Sequence, residues 1–247
     1  MSRLTEIQAF ADLINVNDSL ALPPFSGDGR YLKIHEVNEL ISATGDSRDD
    51  SENLFTTRLL LLLESKPLCN PEMYSTAIDR VMEMYFRDGR GKRDFRPLFL
   101  LNDILRYWRT LCLNYERDRR DPGKAWWKRN LNLKFSRKLT IFSTVLAIIA
   151  KGMSTPGSFK RISGKVPLER LAYALDTIGD ESLLPQFRFV LNDYEEFLAA
   201  KSHRELDSIS ADAAAQFSAR AQRFDDFLHQ ALDSEKLSRD LVRFVSI

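Results

Sequence analysis

The chain has 247 residues, 44% of them apolar and 29% charged, with a formal net charge of +1. That length supports a proper hydrophobic core, and the composition excludes a disordered chain and a polyelectrolyte that binds through bulk charge. Two cysteines and three histidines, far apart and without C-x-x-C or H-x-x-x-H spacing, give no disulfide framework and no zinc site. Cys69 and Cys112 read as free thiols of a reducing, cytoplasmic compartment.

Residues 2–14 carry Leu4, Ile7, Phe10, Ala11 and Ile14 at helical period. Glu6 and Asp12 set this segment apart from a signal peptide. Two prolines and two glycines in "LPPFSGDG" (22–29) break the chain. "RYLKIH" (30–35) has the composition of a short strand. A helix is expected at about 36–43, then a polar linker, "TGDSRDD". From residue 50 onward the pattern is helical almost throughout. Helices are expected over 51–65, over 71–87 with Asn70 as cap and Pro71 at the first position, and over 95–117. "RDGRGKRD" (87–94) and "RRDPGK" (119–124) read as loops, and a long helix follows through "AWWKRNLNLKFSRKLTIFSTVLAIIA". Residues 152–167 read as loop. Further helices are expected from Pro167 to about 178, from Pro185 to about 201, over 210–232, and from an Asp233/Ser234 cap to about 245. The fold class is thus mainly α: a helical bundle over 46–247, preceded by a short α/β remnant over 1–45. The most apolar runs, 59–63 and 139–150, fall short of the roughly 20 residues a bilayer needs, so no membrane is expected.

No catalytic motif passes. "GSFKRISGKV" (157–166) has the wrong gap for a phosphate loop, and Val166 stands where Ser or Thr must hold magnesium. The informative stretch is "RPLFLLNDILRYWRTLCLNYE" (96–116), an apolar helix crossed by a polar stripe. Asn102, Arg106 and Arg109 share one face, and Asp103, Thr110 and Asn114 the next. A guanidinium cannot be buried without partners. The spacing alone favours an internal ion-pair network between core helices, with Glu64 or another carboxylate as partner. The sharper account is a pocket wall that meets phosphate, which Arg matches bidentately. Charge is also uneven. Arg106 to Lys138 holds eleven Lys/Arg against three Asp/Glu, a local net of +8. Trp108, Trp126, Trp127 and Phe135 interleave with these cations. The segment is either a surface for nucleotide or RNA, or a solvated face above core aromatics.

"RTLCLNY" (109–115) is similar to the Arg-x4-6-His motif of HEPN-type ribonucleases, with Tyr115 in the histidine place. Tyrosine, with an ordinary pKa of about 10, suits acid–base work at neutral pH poorly. Metal-independent RNA cleavage by Arg109 and Tyr115 is therefore an alternative rather than the leading expectation.

Four stretches together, 25–35, 55–68, 96–116 and 131–143, resemble bacterial two-domain nucleotidyltransferases of the polymerase-β superfamily with a helical C-terminal domain. The chain resembles the part that follows the family's Gly-Ser and Asp-x-Asp motif, so no catalytic carboxylate and no metal ligand carries over. The resemblance implies that the helical domain faces the nucleotide. Phosphate contact is then expected from Asp103, Arg106, Arg109, Asn114, Tyr115, Lys128, Arg129, Lys134, Arg137 and Lys138. It implies no cofactor held by this chain alone; magnesium with nucleotide would enter only beside a catalytic partner. A structural half of a heterodimer is the third alternative. A protein partner, or a second copy, would then cover residues 1–45.

Overall fold

The computed structural model describes residues 2–22, 25, 33–90, 92, 95–119, 126–203, 206 and 209–245. Among them there is no strand. Thirteen α-helices follow one another: α1 Arg3–Ser19, α2 Val37–Ser42, α3 Ser47–Ser51, α4 Leu54–Leu63, α5 Pro71–Phe86, α6 Leu98–Asp118, α7 Trp126–Asn132, α8 Lys138–Lys151, α9 Pro156–Ser163, α10 Pro167–Ile178, α11 Leu184–Ser202, α12 Ala211–Asp233 and α13 Arg239–Val245. A π turn, Leu133–Arg137, joins α7 to α8. The strand expected at 30–35 is absent over Lys33–His35, which have no regular structure; residues 30–32 lie outside the described residues.

The bundle forms around α8, which is apolar over most of its surface and therefore belongs in the interior. Leu139, Ile141, Val145, Leu146, Ala147, Ile148 and Ile149 are all buried. α10, α6, α9 and α12 pack around it. Local chemistry sets the helix ends. The Asn70 side chain accepts from Met73 N at 3.1 Å and Pro71 opens α5. Ser210 Oγ accepts from Ala213 N at 3.2 Å to open α12. Gly152 and Gly179, both left-handed, close α8 and α10, where a side chain would add strain.

Three segments depart from expectation. The helix expected over 51–65 is divided at Asn53, which adopts φ +57°, a conformation asparagine tolerates. The linker before it folds as α3, because its Asp49 is drawn inward to a buried arginine. Within the loop expected at 152–167, Thr155 caps α9 and Pro156 starts it; Phe159 and Ile162 then bury their side chains. The last helix begins only at Arg239, because the Ser234 hydroxyl turns away to Asp180 Oδ2 at 3.0 Å.

Arg170, on α10 and 3% exposed, ties the middle of the molecule together. Its Nε donates to Lys165 O at 2.9 Å and its Nη2 to Ser163 O at 2.9 Å and Leu63 O at 3.0 Å. Its Nη1 donates to Thr144 Oγ1 at 3.1 Å. Its hydrogen-bond acceptors are carbonyls and a hydroxyl rather than a carboxylate, so burial lowers its pKa to about 10. At the other extreme stands α1, in which no residue is buried. Among the described residues, no helix is long and apolar enough to cross a membrane.

Candidate anion-binding site

The polar stripe of α6 is shared among four environments. Its first turns enter an internal network. Arg58 is fully buried and donates to both oxygens of Asp49, each at 2.7 Å, and to Leu40 O at 2.8 Å. The Tyr85 hydroxyl accepts from Arg58 Nε at 3.4 Å and donates to Asp103 Oδ2 at 2.7 Å. Asp103 is 1% exposed and lies 3.8 Å from Arg58. Burial pushes the Asp103 carboxyl and the Tyr85 hydroxyl above their ordinary pKa values. Burial also acts to lower the pKa of Arg58, but Asp49 and Tyr85 together outweigh it and hold the guanidinium charged. Arg106 pairs with Asp50 and Asp103 and lies 4.0 Å over the Phe55 ring. Asp103 and Arg106, both expected at phosphate, are thus occupied in joining α3, α4, α5 and α6. Asp103 is too deeply buried for a ligand to reach, which is the internal network that the spacing favours.

Farther along α6 the stripe diverges. Arg109 is exposed at the rim of an apolar cavity beside α12. Asn114 lines a polar cavity of about 500 Å³ with Lys33, His35 and Arg117. Tyr115 lines a third cavity. Arg109 and Tyr115, the pair that resembles a ribonuclease motif, therefore open to different cavities.

The third cavity, about 390 Å³, is the one where the basic segment converges. Tyr115 from α6, Glu64 from the end of α4, Asn132 from α7 and Lys201 from α11 line it. Ser136 and Arg137 come from the π turn and Thr140 from the first turn of α8. A π turn holds one residue more than an α turn and occurs often at functional sites. Here it brings Ser136 and Arg137 onto the cavity wall. Arg137 pairs with Glu64, whose other oxygen accepts from the Tyr107 hydroxyl at 3.0 Å. Burial works to lower the Arg137 pKa, and Glu64, with Tyr107 and Tyr115, more than reverses it. Burial raises the Tyr115 pKa, against the pull of Arg137 and Arg129. Lys201 is exposed at the rim. Partial desolvation pulls its pKa down, and the nearby Arg137 and Lys128 pull in the same direction.

Of the expected phosphate ligands, the structure places Tyr115 and Arg137 on the wall of this cavity, with Arg129 acting electrostatically on Tyr115 and Lys128 on Lys201 from outside the lining. Lys134 is half-buried in the π turn. Lys138 is turned away, paired with Asp225 and 5.7 Å over the Trp108 ring. The sequence reading missed Lys201, Asn132, Ser136 and Thr140. Lys201 lies in the last turn of a helix, an ordinary place for a cation beside the helix dipole, and carries no local signal.

Cations, hydroxyls and an amide facing one cavity can hold a tetrahedral oxyanion. Among the described residues no group of three His, Cys, Asp or Glu comes together as a metal site. No protein-family model, no curated protein and no solved structure matches the chain. The likeness to nucleotidyltransferases therefore rests on the four sequence stretches alone.

Proposed function

We propose that this chain is a nucleotidyltransferase-like protein without the catalytic carboxylates, whose helical domain binds the phosphate of a nucleotide or RNA end. The binding site is the cavity between Tyr115, Arg137 and Lys201. One observation carries the reading: five helical segments bring the Arg137 guanidinium, the Lys201 ammonium, the Tyr115, Ser136 and Thr140 hydroxyls and the Asn132 amide to one cavity. Burial, and then the charges of Arg137 and Lys128, hold the Lys201 pKa down, which an anion in the cavity would offset. Three charge-assisted contacts at about 1.5 kcal/mol each support only about millimolar binding of phosphate alone. Base and ribose must supply the rest.

The test is calorimetric titration with ATP, CTP, GTP, UTP and a short single-stranded RNA, with and without magnesium. Binding is expected at low salt and weakens steeply as salt rises. Lys201→Glu and Arg137→Gln each lower the affinity about tenfold or more while the melting temperature still reports a folded protein. Absence of saturable binding at low salt, or an unaffected Lys201→Glu variant, refutes the reading. Affinity also falls as pH rises through the lowered pKa of Lys201, because only its ammonium form attracts phosphate.

A second reading rests on α1. Leu4, Ile7 and Val16 are 79%, 53% and 53% exposed there, in a helix with no buried residue. Such a surface fits the expected protein partner or self-association through residues 1–45. Light scattering of the purified chain decides whether that partner is a second copy.

A further inference from the structure

Arg109 is the one arginine of the polar stripe that neither the internal network nor the phosphate cavity absorbs. It stands at the rim of a separate cavity of about 380 Å³ between α6, α8, α12 and α13. Leu105, Trp108, Phe142, Leu232 and Val245 line it, with Trp108 and Phe142 edge to face at 5.5 Å. Across the rim, one turn apart on α12, lie His229 and Asp233. Arg109 and Asp233 line the same cavity, yet neither pairs with the other nor with any other described residue. Nearby cations and acids are already matched: Lys138 with Asp225, and Arg96 with Asp240 at 3.8 Å.

We propose that this cavity binds an α-amino acid with a large apolar side chain. The side chain enters between Trp108 and Leu232, the carboxylate meets the Arg109 guanidinium, and the ammonium meets Asp233. An apolar cavity with an unpaired cation and an unpaired carboxylate at its mouth is complementary to a ligand that carries both charges on an apolar body. A phosphate finds no such fit. It would face Asp233, and the apolar walls offer its oxygens no donors. The volume lies near the small end of ligand pockets, which suits a single amino acid rather than a folded partner.

The experiment titrates the full chain with L-phenylalanine, 3-phenylpropionate and phenethylamine, the last two lacking the ammonium and the carboxylate respectively. L-Phenylalanine is expected to bind saturably, and each of the others about fivefold or more weakly. Arg109→Gln weakens L-phenylalanine and phenylpropionate and leaves phenethylamine unchanged. Asp233→Asn does the reverse, weakening L-phenylalanine and phenethylamine only. Both side chains are exposed, so the variants fold, and their melting temperatures verify it. No saturable binding of L-phenylalanine up to about 10 mM overturns the proposal. So does phenylpropionate binding as tightly as L-phenylalanine, or an Arg109→Gln variant that binds it unchanged. Lys201→Glu leaves L-phenylalanine binding intact, so failure here is distinct from failure of the phosphate site.

Discussion

At the scale of single residues, the network around Arg58 has the most to lose. Replacing Arg58 with Met strands Asp49, 3% exposed, without its cation and leaves Asp103, 1% exposed, with Arg106 alone. Breaking one side of a buried pair costs about 3–5 kcal/mol. Urea unfolding at pH 7 should register that loss in the midpoint. Asp103 behaves oppositely to a surface carboxylate. Its pKa is raised in the folded state, so the native protein holds its proton more tightly than the unfolded chain does. The stability it contributes is fully present below the ordinary carboxylate range and declines as pH rises through the raised value. Asp103→Asn removes the decline, so the variant's unfolding free energy should change less steeply with pH across that window than that of the wild type. The pairing of Asp103 with Arg106 was legible in the sequence, since the two lie three apart on one helix. The partners that decide its role were not. Asp49 stands in a run that reads as polar linker, and Tyr85 lies 18 residues away on another helix. Only the fold brings them together.

At the scale of elements, prolines, caps and apolar spacing located most helices, because those signals act within a turn or two. The helices over Pro71–Phe86, Leu98–Asp118, Pro167–Ile178 and Ala211–Asp233 lie within a few residues of where the sequence places them. α3 and α9 escaped for opposite reasons. α3 is all polar and is held by two ion pairs, Asp49 with Arg58 and Asp50 with Arg106; α9 hides two core residues, Phe159 and Ile162, in a glycine-rich stretch. The π turn had no signal at all, because its extra residue interrupts no composition or period that a helix of this length would show. It nonetheless shapes the cavity proposed to bind phosphate, and this gives a sharp test. Deleting Lys134 removes the extra residue and lets α7 and α8 join as one α-helix with both apolar faces still in register. The deletion should leave the melting temperature within a few degrees of the wild type, since each 1 kcal/mol shifts it by only about 2–4 °C in a chain of this size. Nucleotide or RNA binding should be lost, because Ser136 and Arg137 rotate off the cavity wall. Retained binding in a folded deletion variant would remove the π turn from the site.

At the scale of the whole molecule, the chain is uneven in both charge and cover. The segment from Arg106 to Lys138 carries a net of +8 in a chain whose total is +1. Its cations divide, however: Lys138 is bound internally, and Arg137 is shared between Glu64 and the cavity. Local charge in the sequence thus overstates how many of these cations face the cavity. Cover is uneven at α1. Changing Leu4, Ile7 and Ile14 together to Gln removes exposed apolar surface and no buried contact, so the unfolding free energy of the chain should stay within about 0.5 kcal/mol of the wild type. If α1 meets a second copy, the same variant shifts the mass seen by light scattering toward the monomer. An unchanged mass would assign the surface to a different protein.

The Arg170 cluster has a consequence for the order in which the chain can mature. The carbonyl of Leu63 ends α4, yet its donor lies 107 residues later. A chain emerging from a ribosome at about 5–20 residues per second leaves that helix end waiting several seconds for its partner. Until then, α4 can pack on its early neighbours α5 and α6, but its C-terminal carbonyl has no donor from α10. The end of α4 is therefore a place that completes late during synthesis, and it is where a chaperone would have something to hold.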